Sequence, residues 1–229
     1  MRPDPTILGF DTSAAHCAAA LLCTNEIRAE RHEELARGQA ERLMPMLEEM
    51  LAECDLNWAD LDAIAVGIGP GNFTGIRISV AAARGLGMAL GIPVIGISNF
   101  EIMRGGDAGF RDASELVSVS APRGQAYVQH MHFGKPAAGA RLIDLSNPPA
   151  ALKTAGDMIV TGYQANDLAQ ALGAKANPTE LEAVGARMVR RAEWRLVHNQ
   201  EKPDRPAPLY VRAPDAAPPR DAAPVILDA

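Results

Sequence analysis

The stretch that decides the fold is residues 67–98, which read GIGPGNFTGIRISVAAARGLGMALGIPVIGIS. An apolar run from Leu61 to Ile68 leads into it and predicts a buried strand. Apolar residues then recur at helical spacing, which predicts a helix from about Phe73 to Leu90 that Gly91 ends. A short strand is predicted over 93–97. Strand, helix and strand in this order are typical of an α/β protein.

The segment upstream of this stretch completes a first lobe. Residues 6–13, 16–23 and 26–34 form runs separated by turn signals, and they predict three antiparallel strands. Apolar residues at helical spacing from Ala36 to Cys54 predict an amphipathic helix that Pro45 kinks. We therefore predict an α/β lobe with a mixed sheet over residues 1–104.

The second half of the chain predicts a smaller α+β lobe over residues 105–212. Its predicted strands are 115–120, 125–133, 141–145 and 158–161, and its predicted helix is 179–196. Residues 105–113 read as a loop and mark the boundary between the lobes. Seven of the 17 prolines follow residue 202, so we expect residues 213–229 to form a Pro/Ala-rich tail that is extended or disordered.

Composition and charge argue against several classes of function and leave only indirect or local contact with nucleic acid. A chain of 229 residues can bury a stable core without disulfides. Its net charge of -6 has the wrong sign for a protein whose affinity rests on phosphates, and an aromatic content of 4% leaves few rings on which bases could stack. The three cysteines form no Cys-x-x-Cys pair, and no signal peptide or membrane span is visible. We expect a soluble, cytoplasmic protein.

Two motifs could bind a cofactor. Asp11, Thr12 and Ser13 end a predicted strand, where a carboxylate can hold a hydrated metal and hydroxyls can meet phosphate oxygens. Gly69 and Gly71 lie between a strand and a helix, where backbone amides and the helix dipole favour an anion. Both motifs are equally typical of ordinary tight turns, so both interpretations stay open. We predict no metal site, because the histidines lack a ligand motif.

A stripe of small residues on the second predicted helix suggests an interface. Gly75, Ser79, Ala83, Gly87 and Gly91 recur every four residues, which lets another helix of this chain or of a partner approach closely. The Met-rich first predicted helix offers a second, adaptable face. The candidate interface residues on the two helices are Leu43, Met44, Leu47, Met50, Gly75, Ser79, Ala83 and Gly87.

Three segments together carry a family resemblance. The strand ILGFDTS (7–13), the stretch 67–98 and the late PAPLYVR (206–212) resemble the bacterial TsaB family, the dimerisation subunit of the tRNA threonylcarbamoyladenosine transferase complex. Asn72 departs from this pattern, because the family usually has serine there. The resemblance implies an α/β, two-lobed actin-like ATPase-domain (ribonuclease-H-like) fold with mixed sheets, similar to a degenerate copy of the catalytic subunit TsaD.

The same resemblance implies a non-catalytic role. TsaD uses a His-x-x-x-His metal pair, whereas the corresponding stretch here, 32–39, contains only His32. The second half offers only Gly162 where a nucleotide fold would want a glycine pair. The resemblance thus implies no catalytic residue and no cofactor in the isolated chain, with ATP and a metal belonging to the assembled complex. The implied partners are TsaD and TsaE, or a second copy when the chain is alone, with tRNA reached only through the complex.

Two enzyme classes remain as alternatives. An actin-like small-molecule kinase would use Asp11 for the metal and residues 69–75 for phosphate. A peptidase that acts on its own relative is the other.

Overall fold

Two β-sheets with the same strand order organise the chain. The computed structural model describes residues 4–105, 114–153, 157–198 and 204–212. The first sheet has the order β3-β2-β1-β4-β5, with the first three strands antiparallel and the last three parallel. Its strands are β1 (Ile7–Asp11), β2 (His16–Cys23), β3 (Glu26–Glu34), β4 (Ala63–Gly67) and β5 (Val94–Ile97).

The second sheet repeats this order. β6 pairs antiparallel with β7 and parallel with β10, β11 lies outside β10, and β8 and β9 both pair with β7. This repetition confirms the predicted α/β fold with two mixed sheets. The predicted strands of this half are present, while β8 and β11 were not predicted. The strands are β6 (Ser114–Ser120), β7 (Gln125–His132), β8 (Lys135–Pro136), β9 (Arg141–Asp144), β10 (Met158–Gly162) and β11 (Lys175–Asn177).

Five α-helices lie in the described ranges. They are α1 (Gln39–Glu53), α2 (Phe73–Leu90), α3 (Asn99–Arg104), α4 (Ala165–Leu172) and α5 (Val184–His198). The predicted bounds of α2 are confirmed, because the Asn72 side chain caps the Gly75 N–H and Gly91 ends the helix at a φ of 68°. The α5 helix begins later than predicted, at residue 184, and neither α3 nor α4 was predicted.

The two faces of the first sheet are covered from different parts of the chain. Helices α1 and α2 pack on one face with Phe10 and Ile64. Helix α5 covers the other face through Met188, Val189 and Ala192. The strands of the two sheets lie on either side of residue 105. The helices do not follow this division, because α3, which precedes residue 105, packs on β6 and β10 of the second sheet, and α5, which follows it, packs on the first sheet.

A buried ionic cluster lies where α3 and α5 meet. The Glu101 carboxylate of α3 accepts hydrogen bonds from Arg191 (3.2 Å) and from Arg195, both on α5. At the end of α3, Arg104 pairs with Glu115 of β6. Desolvation lowers the pKa of Arg191, although the nearby Glu101 opposes that shift. The cluster joins α5, α3 and the second sheet at one point.

Two expectations meet the limits of the described ranges. Within those ranges, no helix is both long and apolar enough to cross a membrane. The predicted tail, 213–229, and residues 106–113 of the predicted loop lie outside the described residues.

Candidate functional site

The Asp-Thr-Ser turn joins β1 to β2 and is closed to solvent. Asp11 is fully buried, and its Oδ1 accepts hydrogen bonds from the backbone N–H and the hydroxyl of Ser13, both at 2.9 Å. His16 Nε2 lies 2.8 Å from the same oxygen. The other oxygen, Oδ2, has no hydrogen-bond partner among the described residues and faces Gly67, where any Cβ would collide with it. Gly67 therefore makes room for this carboxylate at the end of β4.

The glycine-rich loop packs directly on this turn. The Thr12 hydroxyl donates to the Gly75 carbonyl at 2.6 Å, and the Asn72 N–H donates to the Ser13 carbonyl at 2.6 Å. A side chain at Gly71 or Gly75 would collide with the carbonyl oxygen of Ser13 or Thr12. The loop needs glycine here because backbone meets backbone.

Asn99 closes the same contact from α3. Its side-chain amide donates to Ser13 Oγ (3.0 Å) and to the Pro70 carbonyl (2.9 Å), and its N–H donates to the Gly69 carbonyl (2.8 Å). The structure thus brings together all the residues predicted to bind a cofactor, namely Asp11, Thr12, Ser13, Gly69 and Gly71. The hydroxyls of Thr12 and Ser13 are engaged within the chain, and Asp11, Thr12 and Ser13 are buried.

The histidines do not assemble a metal centre in the part of the chain that is described. No three His, Cys, Asp or Glu side chains there converge closely enough to hold a metal ion. The ring of His16 lies 4.8 Å from that of His32, whose Nε2 is 2.8 Å from Glu34. In β7, burial and the nearby Arg141 lower the pKa of His130. The sequence did not identify His16 as a site residue, because nothing in its sequence context marks it as the partner of Asp11.

The stripe of small residues faces the chain's own sheet, which corrects our prediction that it meets a partner. Ser79 Oγ donates to the Gly67 carbonyl at 3.3 Å, and Ala83 is fully buried in the core under α2. Gly75 touches Thr12, and a side chain at Gly87 would collide with Val94. Small residues let α2 approach the parallel strands β4 and β5, so the close contact exists within one chain.

The predicted face of α1 is also used inside the chain. Leu43, Leu47 and Met50 are buried in the core beneath the first sheet, and Met44 packs half-buried against the same core. Helical spacing correctly identified one apolar face, but that face is occupied by this chain's own sheet. The prediction that these residues lie at an intersubunit surface is therefore wrong for the three buried ones.

The outward face of α2 is the surface that the sequence reasoning missed. Met88 is 81% exposed, and no atom lies within 4 Å of where a Gly85 side chain would begin. Ala81 is exposed and Ile78 is half-buried on the same side of the helix. The half-buried Arg84 lies one helical turn from both Ala81 and Met88, so these apolar residues adjoin a cation. Helical periodicity from Ile78 would have found this face.

The C-terminal segment 204–212 lies across the region between the sheets. Leu209 N–H donates to the Ile68 carbonyl at 2.8 Å. The Tyr210 ring stacks on Phe73 with centroids 4.7 Å apart, and its hydroxyl accepts from Arg77 at 2.8 Å. Between this segment and the glycine-rich loop is a cavity of about 290 Å³. The segment PAPLYVR is thus a structural strap on the start of α2.

Comparisons with known proteins agree with this architecture. A family model described as TsaD, tRNA N6-adenosine threonylcarbamoyltransferase, matches residues 27–181. An uncharacterised protein of Mycobacterium tuberculosis is 33% identical over 215 residues, which cover 93% of this chain and 94% of that one. The tRNA threonylcarbamoyladenosine biosynthesis protein TsaB of Haemophilus influenzae is 41% identical over 98 residues, 43% of this chain and 41% of that one.

A solved structure extends the likeness over the whole fold. YeaZ from Pseudomonas aeruginosa superposes with a TM-score of 0.63 at 26% identity, covering 90% of this chain and 99% of that chain. The repeated strand order and this likeness define an α/β protein with two mixed sheets and the fold of YeaZ. The chain belongs to the TsaB family of tRNA threonylcarbamoyladenosine biosynthesis proteins, within the wider family that the TsaD model describes.

Proposed function

We propose that the chain is a non-catalytic subunit that binds TsaD. With TsaE and ATP, it would support the transfer of threonylcarbamoyl to the adenosine beside the anticodon of ANN-decoding tRNAs. Membership of the TsaB family supports this role. The observation that supports the non-catalytic part is the Asp-Thr-Ser turn, whose hydroxyls and Asp11 Oδ1 are engaged with the chain itself.

This turn is the place where a related enzyme would need open groups. A phosphoryl or acyl transfer site requires donors aimed at the reacting group in a cleft that the substrate can enter. Here the glycine-rich loop is seated on the turn through Thr12, Ser13 and Asn72, and Asn99 closes it from α3. ATP and a metal would accordingly be held by the assembled complex rather than by this chain.

The outward face of α2 is the surface we assign to TsaD. It presents Met88, Ala81 and Gly85 with the half-buried Arg84 beside them, and the small residues Ala81 and Gly85 let the backbone of a partner helix come close. Because TsaD would share the two-lobed fold, its equivalent helix can pair with α2 across a pseudo-two-fold axis. A second copy of this chain could use the same face when TsaD is absent.

A retention experiment with TsaD from the same organism tests this surface. We expect Met88→Glu to lose at least tenfold in affinity, because a carboxylate would be buried without a partner in an apolar contact. Val197→Glu is the matched control, since Val197 is 55% exposed on α5, and it should retain TsaD. Unchanged retention by Met88→Glu would remove the α2 face from the interface. Gel filtration of both variants reports on self-association in the same way.

A further inference from the structure

A cluster of rings lies where the β7–β8 hairpin meets α5. His132 and Phe133 contact edge to face with centroids 4.2 Å apart, and Trp194 stacks on His198 at 4.9 Å and 13°. Arg191 joins the two pairs. Its guanidinium lies 4.8 Å from the Trp194 ring centroid and donates to the Gly134 carbonyl at 2.9 Å. Arg191 therefore links the hairpin that carries one ring pair to the helix that carries the other.

This surface is exposed although its rings could have been buried. Phe133 is 43% exposed and His132 and His198 are exposed beside it. Among the described residues, four large hydrophobic side chains are exposed, and Phe133 and Val197 of this surface are two of them. In a chain with 4% aromatic residues, this is a local concentration of ring surface. Exposed apolar patches of this kind mark binding sites.

Turn geometry does not explain the phenylalanine. Phe133 and Gly134 form the two-residue connection between β7 and β8, with φ of 47° and 71°. Asparagine or glycine is the usual first residue of such a turn, because a left-handed backbone disfavours a bulky side chain. The hairpin holds the Phe133 ring out into solvent at a position where its backbone gains nothing from it.

The charges around the rings are mainly positive. Arg104 and Arg191 both approach the hairpin, since a Cβ at Gly134 would lie 2.8 Å from one guanidinium and 3.6 Å from the other. The described cations of the cluster are Arg104, Lys135, Arg190, Arg191 and Arg195, and the described carboxylates are Glu101, Glu115 and Glu193. Glu101 and Glu115 are buried, and Lys135 is exposed. A chain with a net charge of -6 thus has a local surplus of positive charge here.

We propose that this surface, formed by Phe133, Lys135, Trp194 and His198, binds single-stranded RNA. The exposed rings of Phe133 and His198 can stack on unpaired bases, while the exposed Lys135 can contact a phosphate. An acidic peptide would use the cations but not the rings, and an apolar protein surface would use the rings but not the charge. The choice of tRNA as the RNA rests on the proposed function, and an unpaired loop is the segment that offers free bases.

Fluorescence anisotropy with the full chain tests the proposal. The probes are a labelled, unmodified tRNA transcript with an ANN anticodon, a single-stranded oligonucleotide of its anticodon loop, and a fully paired RNA duplex. We expect the single strand to bind about 5-fold or more weakly to Phe133→Ala, and the ring-retaining Phe133→Tyr to restore binding. Lys135→Gln should weaken binding to all sequences and reduce the salt slope by about 0.7, the value for one phosphate contact on a single strand.

Two controls separate this proposal from its rivals. Tyr210→Ala removes a ring of the same 43% exposure that packs on Phe73 instead, and it should leave RNA binding unchanged. Met88→Glu should bind RNA like the unaltered chain, so the TsaD assay and the RNA assay can fail independently. The proposal is overturned if the unaltered chain binds no RNA, or if Phe133→Ala binds within twofold of it. Equal binding of an aspartate-rich peptide of matched charge would also overturn it and assign the surface to acidic proteins.

Discussion

The two lobes share a strand order, but the corresponding turns in them differ in chemistry. The turn after β1 carries Asp11, Thr12 and Ser13, all buried and all hydrogen-bonded within the chain. The turn after β6, residues 121–124, carries no buried residue, and its Arg123 takes a φ of 62°. The helix that follows β4 has 18 residues, whereas the helix that follows its counterpart β10 has 8.

One device is common to both lobes. A glycine ends β4 in the first sheet and its counterpart β10 in the second, and each glycine faces the first strand of its own sheet. Gly67 faces the Asp11 carboxylate, and Gly162, with a φ of 106°, faces the Ser118 carbonyl. The glycine is therefore common to both lobes, whereas only the first lobe places a carboxylate against it. The two lobes share this part of the fold but not its chemistry, so the role of each turn has to be inferred from the residues of that turn.

Asp11→Ala, in the first lobe, is expected to lower the free energy of unfolding the most. The substitution leaves the Ser13 donors and buried His16 without their acceptor, so we expect a loss of about 2 to 4 kcal/mol in the free energy of unfolding. Urea denaturation measures it. The matched change in the second lobe is Ser118→Ala, which removes a buried hydroxyl that has no partner among the described residues, and it should cost less than about 1 kcal/mol.

The same variant decides between a structural and a nucleotide-binding Asp11. Calorimetric titration of the isolated chain with Mg-ATP should show no micromolar binding, which would amount to about -8 kcal/mol. Micromolar binding that disappears in Asp11→Ala, together with unchanged stability, would contradict the structural role and favour the kinase alternative.

A tryptophan placed on either side of α2 should separate the core face from the outward face. Ala83 is fully buried against the first sheet, so Ala83→Trp overpacks the core and should cost about 1 to 3 kcal/mol. Gly85, two residues away, has open space around it, and Gly85→Trp should leave stability within about 1 kcal/mol while weakening TsaD retention. Thermal melting and the retention assay measure the two effects. A stable Ala83→Trp variant that loses TsaD would restore the inward stripe as an interface.

Much of the first lobe could be predicted because local sequence signals mark where its helices and strands begin and end. Asn72 and Gly91 bracket α2 with a cap at each end, so its bounds matched. Helix α3 escaped prediction because residues 99–103 are all buried, which leaves no polar face for periodicity to show. The capping box of Ser98 and Glu101 was visible in the sequence and could have found it. Helix α4 has only 8 residues, too few for a clear period.

The sequence identified the residues that come together at the candidate site, but not what the small-residue face of α2 packs against. The sequence places Asp11 and Gly71 near the ends of two neighbouring strands, and the structure brings them together. Periodicity shows that Ser79 and Ala83 share a face, yet it cannot tell whether that face meets a sheet of the same chain or another subunit. The same small side chains favour close approach in both cases. Contacts that exist only in the fold, such as that between Arg191 and Gly134, leave no sequence pattern at all.

The smallest expected effect is a pH dependence confined to the second lobe. His130 is half-buried in β7, its Nδ1 is buried without a partner among the described residues, and burial lowers its pKa below the ordinary 6.5. The unfolded chain therefore takes up a proton near pH 6.5, whereas the folded chain does so only at lower pH. Stability from this group is fully present above about pH 6.5 and declines as the pH falls below it.

Urea midpoints measured between pH 5 and 7.5 should show this decline, and His130→Gln should reduce its slope. His132→Gln is the control, because His132 lies on the same strand and is exposed. Protonation of Glu33 and Glu49, whose pKa values Arg42 holds below the ordinary 4.5, falls at lower pH and does not overlap this window. If His130→Gln keeps the full slope, the titrating group lies elsewhere.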